Sequence, residues 1–369
     1  MRVLMSGGGT GGHVNPAIAI ANIIKENCPD AVIEFVGTKR GIENKLVPHA
    51  GYKLHHIQIQ GIRRSLSPKN IKTAFLAAKS FGDCKKIIKK FRPDVVIGTG
   101  GYACWPVVRA AASLKIPTVL HESNATPGFA IKMLEKKATK VFVNFEETIP
   151  QLKCPEKAVR VGNPLRGDFS TINREVAREH QGIVGDYKYM VLSLGGSMGA
   201  ERINQEVIDM MKTYTSKHPE ILHIHGTGSI EYEETKRMFA EAGLESYPNL
   251  QLLEYIYDMP EKMAAADVVI NRAGAMTLSE IAVLGRASVL IPSPNVTNNH
   301  QYKNAHVLEN ADACILIEEK NLGGGALAKA VEGLICDSSK RASMEKNVKK
   351  FAVADAAQRI YEYIKETVK

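Results

Sequence analysis

The chain has 369 residues, 44% hydrophobic and 24% charged, and its 48 Lys plus Arg against 39 Asp plus Glu give a formal charge of +9. This composition excludes disordered, fibrous and repetitive classes and leaves room for two domains, while no apolar run reaches the roughly 20 residues of a membrane-spanning helix. The basic balance points to an anionic partner, whether nucleotide, nucleic acid or lipid headgroup. The first residues lack the apolar centre of a signal peptide, which predicts a cytoplasmic chain. Six scattered cysteines, without C-x-x-C pairs or metal-like spacing, read as reduced structural thiols.

In chain order, a short apolar strand (Arg2 to Met5) runs into Gly7-Gly8-Gly9-Thr10-Gly11-Gly12-His13 and then into the helical pattern of Ala17 to Ile24. A strand, a glycine turn and a helix start present backbone N–H groups and the helix dipole to an anion. The β-branched runs Val32 to Val36, Val95 to Ile97, Thr118 to Leu120 and Val141 to Val143, separated by helical patterns or glycine turns, predict a parallel sheet with helices on both faces. Gly162-Asn163-Pro164 interrupts this alternation. A helical patch at Arg174 to His180 follows, then a strand at Met190 to Leu194, the turn Gly195-Gly196-Ser197-Met198-Gly199-Ala200 and a helix through Met211. Further strands are expected at Ile221 to His225, Leu250 to Leu253, Val268 to Ile270 and Ser288 to Ile291. The prediction is therefore two similar open α/β halves joined near residue 163, whose carboxyl strand ends look into one shared cleft. The helical pattern from Met344 to Lys369 is expected to cross back to the first half.

The first glycine turn satisfies the dinucleotide fingerprint, with Gly7, Gly9 and Gly12 in its glycine positions. A dehydrogenase also needs an acidic residue at the tip of the second strand for the ribose hydroxyls. Here that strand ends Val36-Gly37-Thr38-Lys39-Arg40 and Glu34 lies inside it, so the dinucleotide reading weakens.

Five strings carry a more specific resemblance. Gly8-Gly9-Thr10-Gly11-Gly12-His13, Gly98-Thr99-Gly100-Gly101-Tyr102, His121-Glu122-Ser123-Asn124, Gly195-Gly196-Ser197-Met198-Gly199-Ala200 and Arg272-Ala273-Gly274-Ala275-Met276-Thr277-Leu278-Ser279-Glu280 together resemble the signatures of the MurG family, within glycosyltransferase family 28. The similar strings run in the family's order from residue 6 to about residue 305. The resemblance implies a GT-B fold, two Rossmann-like open parallel-sheet domains facing a central cleft. It assigns residues 1–163 to an acceptor and membrane-facing domain and 164–343 to a domain for the donor UDP-N-acetylglucosamine (UDP-GlcNAc). Residues 344–369 form the returning helix. It further implies inverting transfer of GlcNAc to the C4 hydroxyl of the muramoyl sugar of lipid I, giving lipid II for peptidoglycan synthesis, cell shape and division.

Such a displacement needs a base for the attacking hydroxyl, charge stabilisation for the departing diphosphate and a grip on the nucleotide. A neutral imidazole accepts a proton near neutral pH, which makes His13 the catalytic candidate. The alternative is a histidine that caps its turn or touches phosphate, with an asparagine or acidic residue as base. The resemblance gives the acceptor side Gly9, Gly12, His13, Gly100, Gly101 and Tyr102, and the donor side Thr10, Gly11, Gly12, Asn124, Arg166, Ser197, Ile256, Arg272, Ala275, Met276, Thr277, Glu280, His300 and Gln301. For Asn124 the plainer reading is a turn-forming residue. Thr277 and Glu280 have capping-box spacing, so Glu280 either closes a helix cap or, as the family implies, binds the ribose. Ile256 matches the position whose backbone recognises uracil, although an Ile there also suits a core. His300 departs from a family pattern of two glutamines, and Gln301 carries over. No Asp-x-Asp motif requires a metal, and no cofactor is implied.

A basic, amphipathic stretch from Ile62 to Arg92 contains Arg63, Arg64, Lys69, Ile71, Lys72, Phe75 and Phe81, and reads either as a solvated charged face over a core stripe or as a membrane surface. The lipid-linked acceptor of the family favours an anionic membrane surface and a peripheral position on the cytoplasmic face of the cell membrane. Cell-wall synthesis proteins are further candidate partners, and nucleic acid is not expected because no recognised nucleic-acid module is present. The rival readings are another GT-B nucleotide-sugar enzyme, such as a diacylglycerol glycosyltransferase or a UDP-GlcNAc 2-epimerase, and a non-catalytic nucleotide-sugar sensor at the membrane.

Overall fold

The computed structural model describes residues 1–60, 69–165, 168–183, 185, 187–196 and 198–368, without the side chains of 69–75, 168 and 170. The chain divides into two compact units, one of Met1–Leu165 with Asp355–Lys369, the other of Arg166–Ala354.

The first unit is built on seven strands, β1 Arg2–Gly7, β2 Val32–Thr38, β3 Lys53–Ile57, β4 Val95–Gly100, β5 Thr118–Glu122, β6 Lys140–Val143 and β7 Ala158–Arg160. They pair in parallel in the order β3-β2-β1-β4-β5-β6-β7. The central strands β1, β4 and β5 each carry an unbroken apolar segment, Val3-Leu4-Met5, Val95-Val96-Ile97 and Val119-Leu120, because both of their faces are covered. The helices are α1 Gly11–Asn27, α2 Glu43–His49, α3 Lys69–Phe91, α4 Cys104–Ser113 and α5 Phe129–Leu134, with a last helix from the far end of the chain. One core layer holds Val3, Met5, Ile20 and Ile24, and another holds Leu4, Val96, Val107 and Leu120. Odd and even positions of β1 thus feed opposite faces, as strand alternation requires.

The second unit has six parallel strands, β8 Tyr189–Leu194, β9 Ile221–Gly226, β10 Leu250–Leu253, β11 Val268–Asn271, β12 Ala287–Leu290 and β13 Ile315–Leu316, in the order β10-β9-β8-β11-β12-β13. Its helices are α6 Asp168–Thr171, α7 Arg174–His180, α8 Glu201–Thr213, α9 Tyr232–Glu241, α10 Met259–Ala265, α11 Ala275–Leu284, α12 His300–Glu309, α13 Ala326–Cys336 and α14 Ser338–Val348. In both sheets the strand order reverses beside the first strand, so β1–β4 and β8–β11 flank the switch points where open α/β sheets take ligands.

The helical pattern read as one segment from Met344 is two helices. Met344 and Val348 of α14 are buried in the second unit, the backbone extends at Ala352, and α15 Ala356–Val368 joins the first unit. There Ile360 and Ile364 are fully buried in the layer that contains Ile20 and Ile24 of α1. Among the described residues no helix is long and apolar enough to cross a membrane.

Candidate active site

In the first unit the turns after β1 and β4 interlock at the switch point. Gly100 and Gly101 have φ of +108° and +80°; a Cβ on Gly101 would collide with the Gly8 carbonyl oxygen, and one on Gly100 would lie 2.7 Å from Cδ2 of His13. Only glycine permits both this backbone shape and this approach. Thr99 donates from Oγ1 to the His13 carbonyl at 2.6 Å, tying the second turn to the first turn of α1. His13 is half-buried, and its Nδ1 lies 3.2 Å from the Gly8 carbonyl oxygen and 3.2 Å from Thr10 Oγ1. A carbonyl only accepts, so Nδ1 carries the proton and the basic lone pair is on Nε2. The amides of Gly11 and Gly12 open α1 and have no hydrogen-bond acceptor among the described residues, as expected at a helix start. Tyr102 packs its ring against Gly9. The structure therefore brings Gly9, Thr10, Gly11, Gly12, His13, Gly100, Gly101 and Tyr102 together.

At the end of β5, Glu122 organises Asn124. Its carboxylate accepts from the backbone and side-chain nitrogens of Asn124, both at 3.0 Å, and from the Gly128 amide at 2.7 Å. Burial raises the Glu122 pKa, with these hydrogen bonds opposing the shift. Thr148 adds a bond from Oγ1 to the Asn124 carbonyl at 3.0 Å. Asn124 is thus the held member of an ordered turn. His121 is buried, donates from Nε2 to the Gly162 carbonyl at 3.1 Å, and has its pKa pushed down to about 4 by burial.

In the second unit the β8–α8 turn interlocks with the loop after β9 in the same manner, since a Cβ on Gly199 or Gly228 would strike the other loop's backbone. α11 starts at Ala275 with Gly274 as its N-cap. Thr277 is therefore inside the helix and Glu280 lies in its second turn, so the capping box that their spacing suggested does not form. The start of α11 gathers Ala275, Met276 and Thr277 at the carboxyl edge, with Arg272 just before it and Glu280 one turn on. The Arg272 guanidinium meets Glu319 at 2.5 Å and donates to the Ile291 carbonyl at 3.1 Å. Ile256 is buried against Gly226, so its side chain is core, while Tyr255 and Tyr257 beside it are exposed. Gln301 accepts from the Ser293 amide at 2.8 Å, and His300 Nδ1 donates to the Thr297 carbonyl at 2.8 Å. Next to them lies a cavity of about 540 Å³ lined by residues that include Arg202, Pro292, Asn299, Tyr302 and Glu319. Arg166, Ser197, Arg63 and Arg64 lie outside the described residues, and only the backbone of Lys69, Ile71, Lys72 and Phe75 is described. Phe81 packs partly against the core with Lys85 over its ring, which takes it out of an outward-facing set. Among the described residues no group of three or more His, Cys, Asp or Glu side chains is placed to hold a metal.

Two open parallel sheets with glycine turns and helix starts at their carboxyl edges define a GT-B glycosyltransferase architecture. The family model for the glycosyltransferase family 28 N-terminal domain matches residues 3–143, and that for the family 28 C-terminal domain matches residues 190–360. The chain belongs to glycosyltransferase family 28. It is 42% identical over 369 residues to the UDP-N-acetylglucosamine--N-acetylmuramyl-(pentapeptide) pyrophosphoryl-undecaprenol N-acetylglucosamine transferase of Acetivibrio thermocellus, covering 100% of this chain and 99% of that protein. The crystal structure of Acinetobacter baumannii MurG superimposes with a TM-score of 0.80 at 27% identity, covering 99% of each chain. A UDP-GlcNAc 2-epimerase from Neisseria meningitidis, bound to UDP-GlcNAc, superimposes with a TM-score of 0.65 at 14% identity over 99% of this chain and 100% of that one, a likeness of fold alone.

Proposed function

We propose that this chain transfers GlcNAc from UDP-GlcNAc to the C4 hydroxyl of the muramoyl sugar of lipid I, with inversion at C1, yielding lipid II. The observation that carries the reading is identity of 42% along the whole chain to a transferase named for this donor sugar and this lipid-linked acceptor. The site chemistry supports it. His13 Nε2 takes the proton of the C4 hydroxyl as the oxygen attacks C1 of GlcNAc; the bond from C1 to the diphosphate oxygen breaks with its electron pair, and UDP leaves. The amides at the start of α11 face the developing charge, together with Ser197, Arg166 and Arg272. Glu280 binds the ribose hydroxyls, the Ile256 backbone the uracil, and Asn124, His300 and Gln301 the sugar. Gly11 and Gly12 offer helix-start amides to phosphate beside His13, with Gly100, Gly101 and Tyr102 shaping the acceptor side.

Incubation with UDP-GlcNAc and an undecaprenyl-linked muramoyl pentapeptide, diacylglycerol, or no acceptor separates the candidates. Sugar is expected on the muramoyl acceptor alone. Transfer only to diacylglycerol, or conversion of UDP-GlcNAc to UDP-N-acetylmannosamine, would overturn the reading.

The lipid acceptor also requires the protein to work at a membrane, and we assign it peripherally to the cytoplasmic face. The described part of α3 buries Cys84, Ile88 and Phe91 and exposes Lys86, Lys89 and Lys90, so one face packs and the other is cationic. Each basic residue near an anionic surface is worth on the order of 1 kcal/mol. Binding to anionic vesicles should weaken as salt rises and fall on Lys69→Glu and Lys72→Glu; salt-independent binding that ignores both changes would make the stretch a solvated face.

A further inference from the structure

The base assigned to His13 rests on a peptide whose other side is held by a carboxylate that neither the motifs nor the family comparison singled out. Glu43, the first residue of α2, is completely buried beneath the first glycine turn. Its Oε2 accepts the Gly9 amide at 3.1 Å, and its Oε1 accepts the Thr38 amide at 2.9 Å and the Thr38 hydroxyl at 2.8 Å. Burial alone would raise its pKa, but these bonds outweigh burial and hold the group ionised, below the ordinary carboxylate value. Glycines surround the seat: a Cβ on Gly41 would collide with the carboxylate, one on Gly37 would lie 2.7 Å from Cγ, and one on Gly8 would lie 3.0 Å from Oε1.

The N–H of Gly9 and the C=O of Gly8 belong to one peptide group. The N–H side is gripped by Glu43 and the C=O side accepts from His13 Nδ1 at 3.2 Å. We propose that Glu43 is a positioning residue for the transfer reaction, acting through the Gly8–Gly9 peptide to orient the His13 imidazole and fix its proton on Nδ1. A charge-assisted bond to the N–H polarises the peptide and strengthens the carbonyl as an acceptor. Glu43 thereby plays the part that a carboxylate plays when it binds a catalytic imidazole directly, with one amide interposed. It also follows that the Gly9 amide is committed inward, leaving phosphate contact to the amides of Gly11 and Gly12.

The inference rests on His13 being the base, and a double-mutant cycle keeps the two claims separable. Because each oxygen of Glu43 receives an N–H, Gln in its place keeps the shape but loses one of the two acceptors. Glu43→Gln should lower kcat by roughly 10- to 100-fold, the cost typical of losing an outer-shell partner that orients a metal-bound imidazole, with the KM for UDP-GlcNAc unchanged. In a His13→Ala background the same change should have no further effect on kcat. Independent, multiplying losses would overturn the positioning role, whereas a His13→Ala enzyme of full activity would overturn the base assignment itself. Thr38→Val serves as a second variant and stability control, since it strips the hydroxyl from Oε1 and spares the Gly9 bond. It should lower the thermal midpoint and leave kcat near that of the unaltered protein; a kcat loss equal to that of Glu43→Gln at matched stability would reduce Glu43 to a structural part.

Discussion

Replacing His13 with Ala should lower the rate of the chemical step by about 10²- to 10⁴-fold, the usual contribution of a general base, while UDP-GlcNAc binding persists. The two effects separate because the imidazole is proposed to serve the attacking hydroxyl, and the uracil, ribose and diphosphate contacts proposed for Ile256, Glu280 and the α11 start all lie in the second unit. Single-turnover rates with both substrates saturating, set beside calorimetric titration of UDP-GlcNAc, measure the pair. Unchanged turnover would remove His13 from the base role. Loss of donor binding with unchanged chemistry would make it a phosphate contact.

The second large effect is on stability in acid. In the second unit, His223 Nε2 lies 2.8 Å from Ser193 Oγ, while His225 Nδ1 lies 2.9 Å from Ser193 Oγ and 3.1 Å from the Ser193 carbonyl, with its Nε2 3.1 Å from Asn204 Oδ1. Asn204 passes the chain on to the Thr227 carbonyl and Thr235 Oγ1, each at 3.1 Å. Burial drives the His225 pKa down to about 4 and holds His223 well below its ordinary value, and in the first unit burial does the same to His121. Above pH 6.5 these rings are neutral whether the chain is folded or not, so they cost nothing. As the pH falls from about 6.5 to about 4 only the unfolded chain takes up the protons, and each group of this depth removes about 3 kcal/mol of stability. Both units should therefore lose urea resistance across that window. The direct check is NMR of the imidazole Cε1 protons. Rings of His121, His223 and His225 that do not titrate above pH 5 agree with the account, and titration near pH 6.5 would contradict it.

Much of the fold was legible because parallel strands buried on both faces are written as unbroken Val, Ile and Leu runs, and the turns between strand and helix need glycine. β1, β2, β4 to β6 and β8 to β12 coincide with the runs named from sequence. The unread strands are those that lack this signal: β3 contains Lys53, His55 and His56, β7 has three residues, and β13 has two. All three are edge strands, covered on fewer sides. The split between α14 and α15 was hidden because Ala352 to Asp355 contains neither Gly nor Pro, and tertiary packing alone separates the two helices. At the site, the glycine turns, His13 and the α11 start were visible as motifs. Glu43 was not, because within Gly41-Ile42-Glu43-Asn44-Lys45 it reads as one more surface charge. The signal that would have found it is Gly37 and Gly41 bracketing a strand end where no anion-binding helix start requires them.

The measurement that bears most directly on the central claim is the structure of the sugar product. UDP-GlcNAc carries an α linkage, and a single displacement at C1 must reverse it. NMR of the product formed from UDP-GlcNAc and an undecaprenyl-linked muramoyl pentapeptide should show one new linkage, a β-glycoside on the C4 oxygen of the muramoyl ring. An α-glycoside, or attachment to any other hydroxyl, would contradict the account.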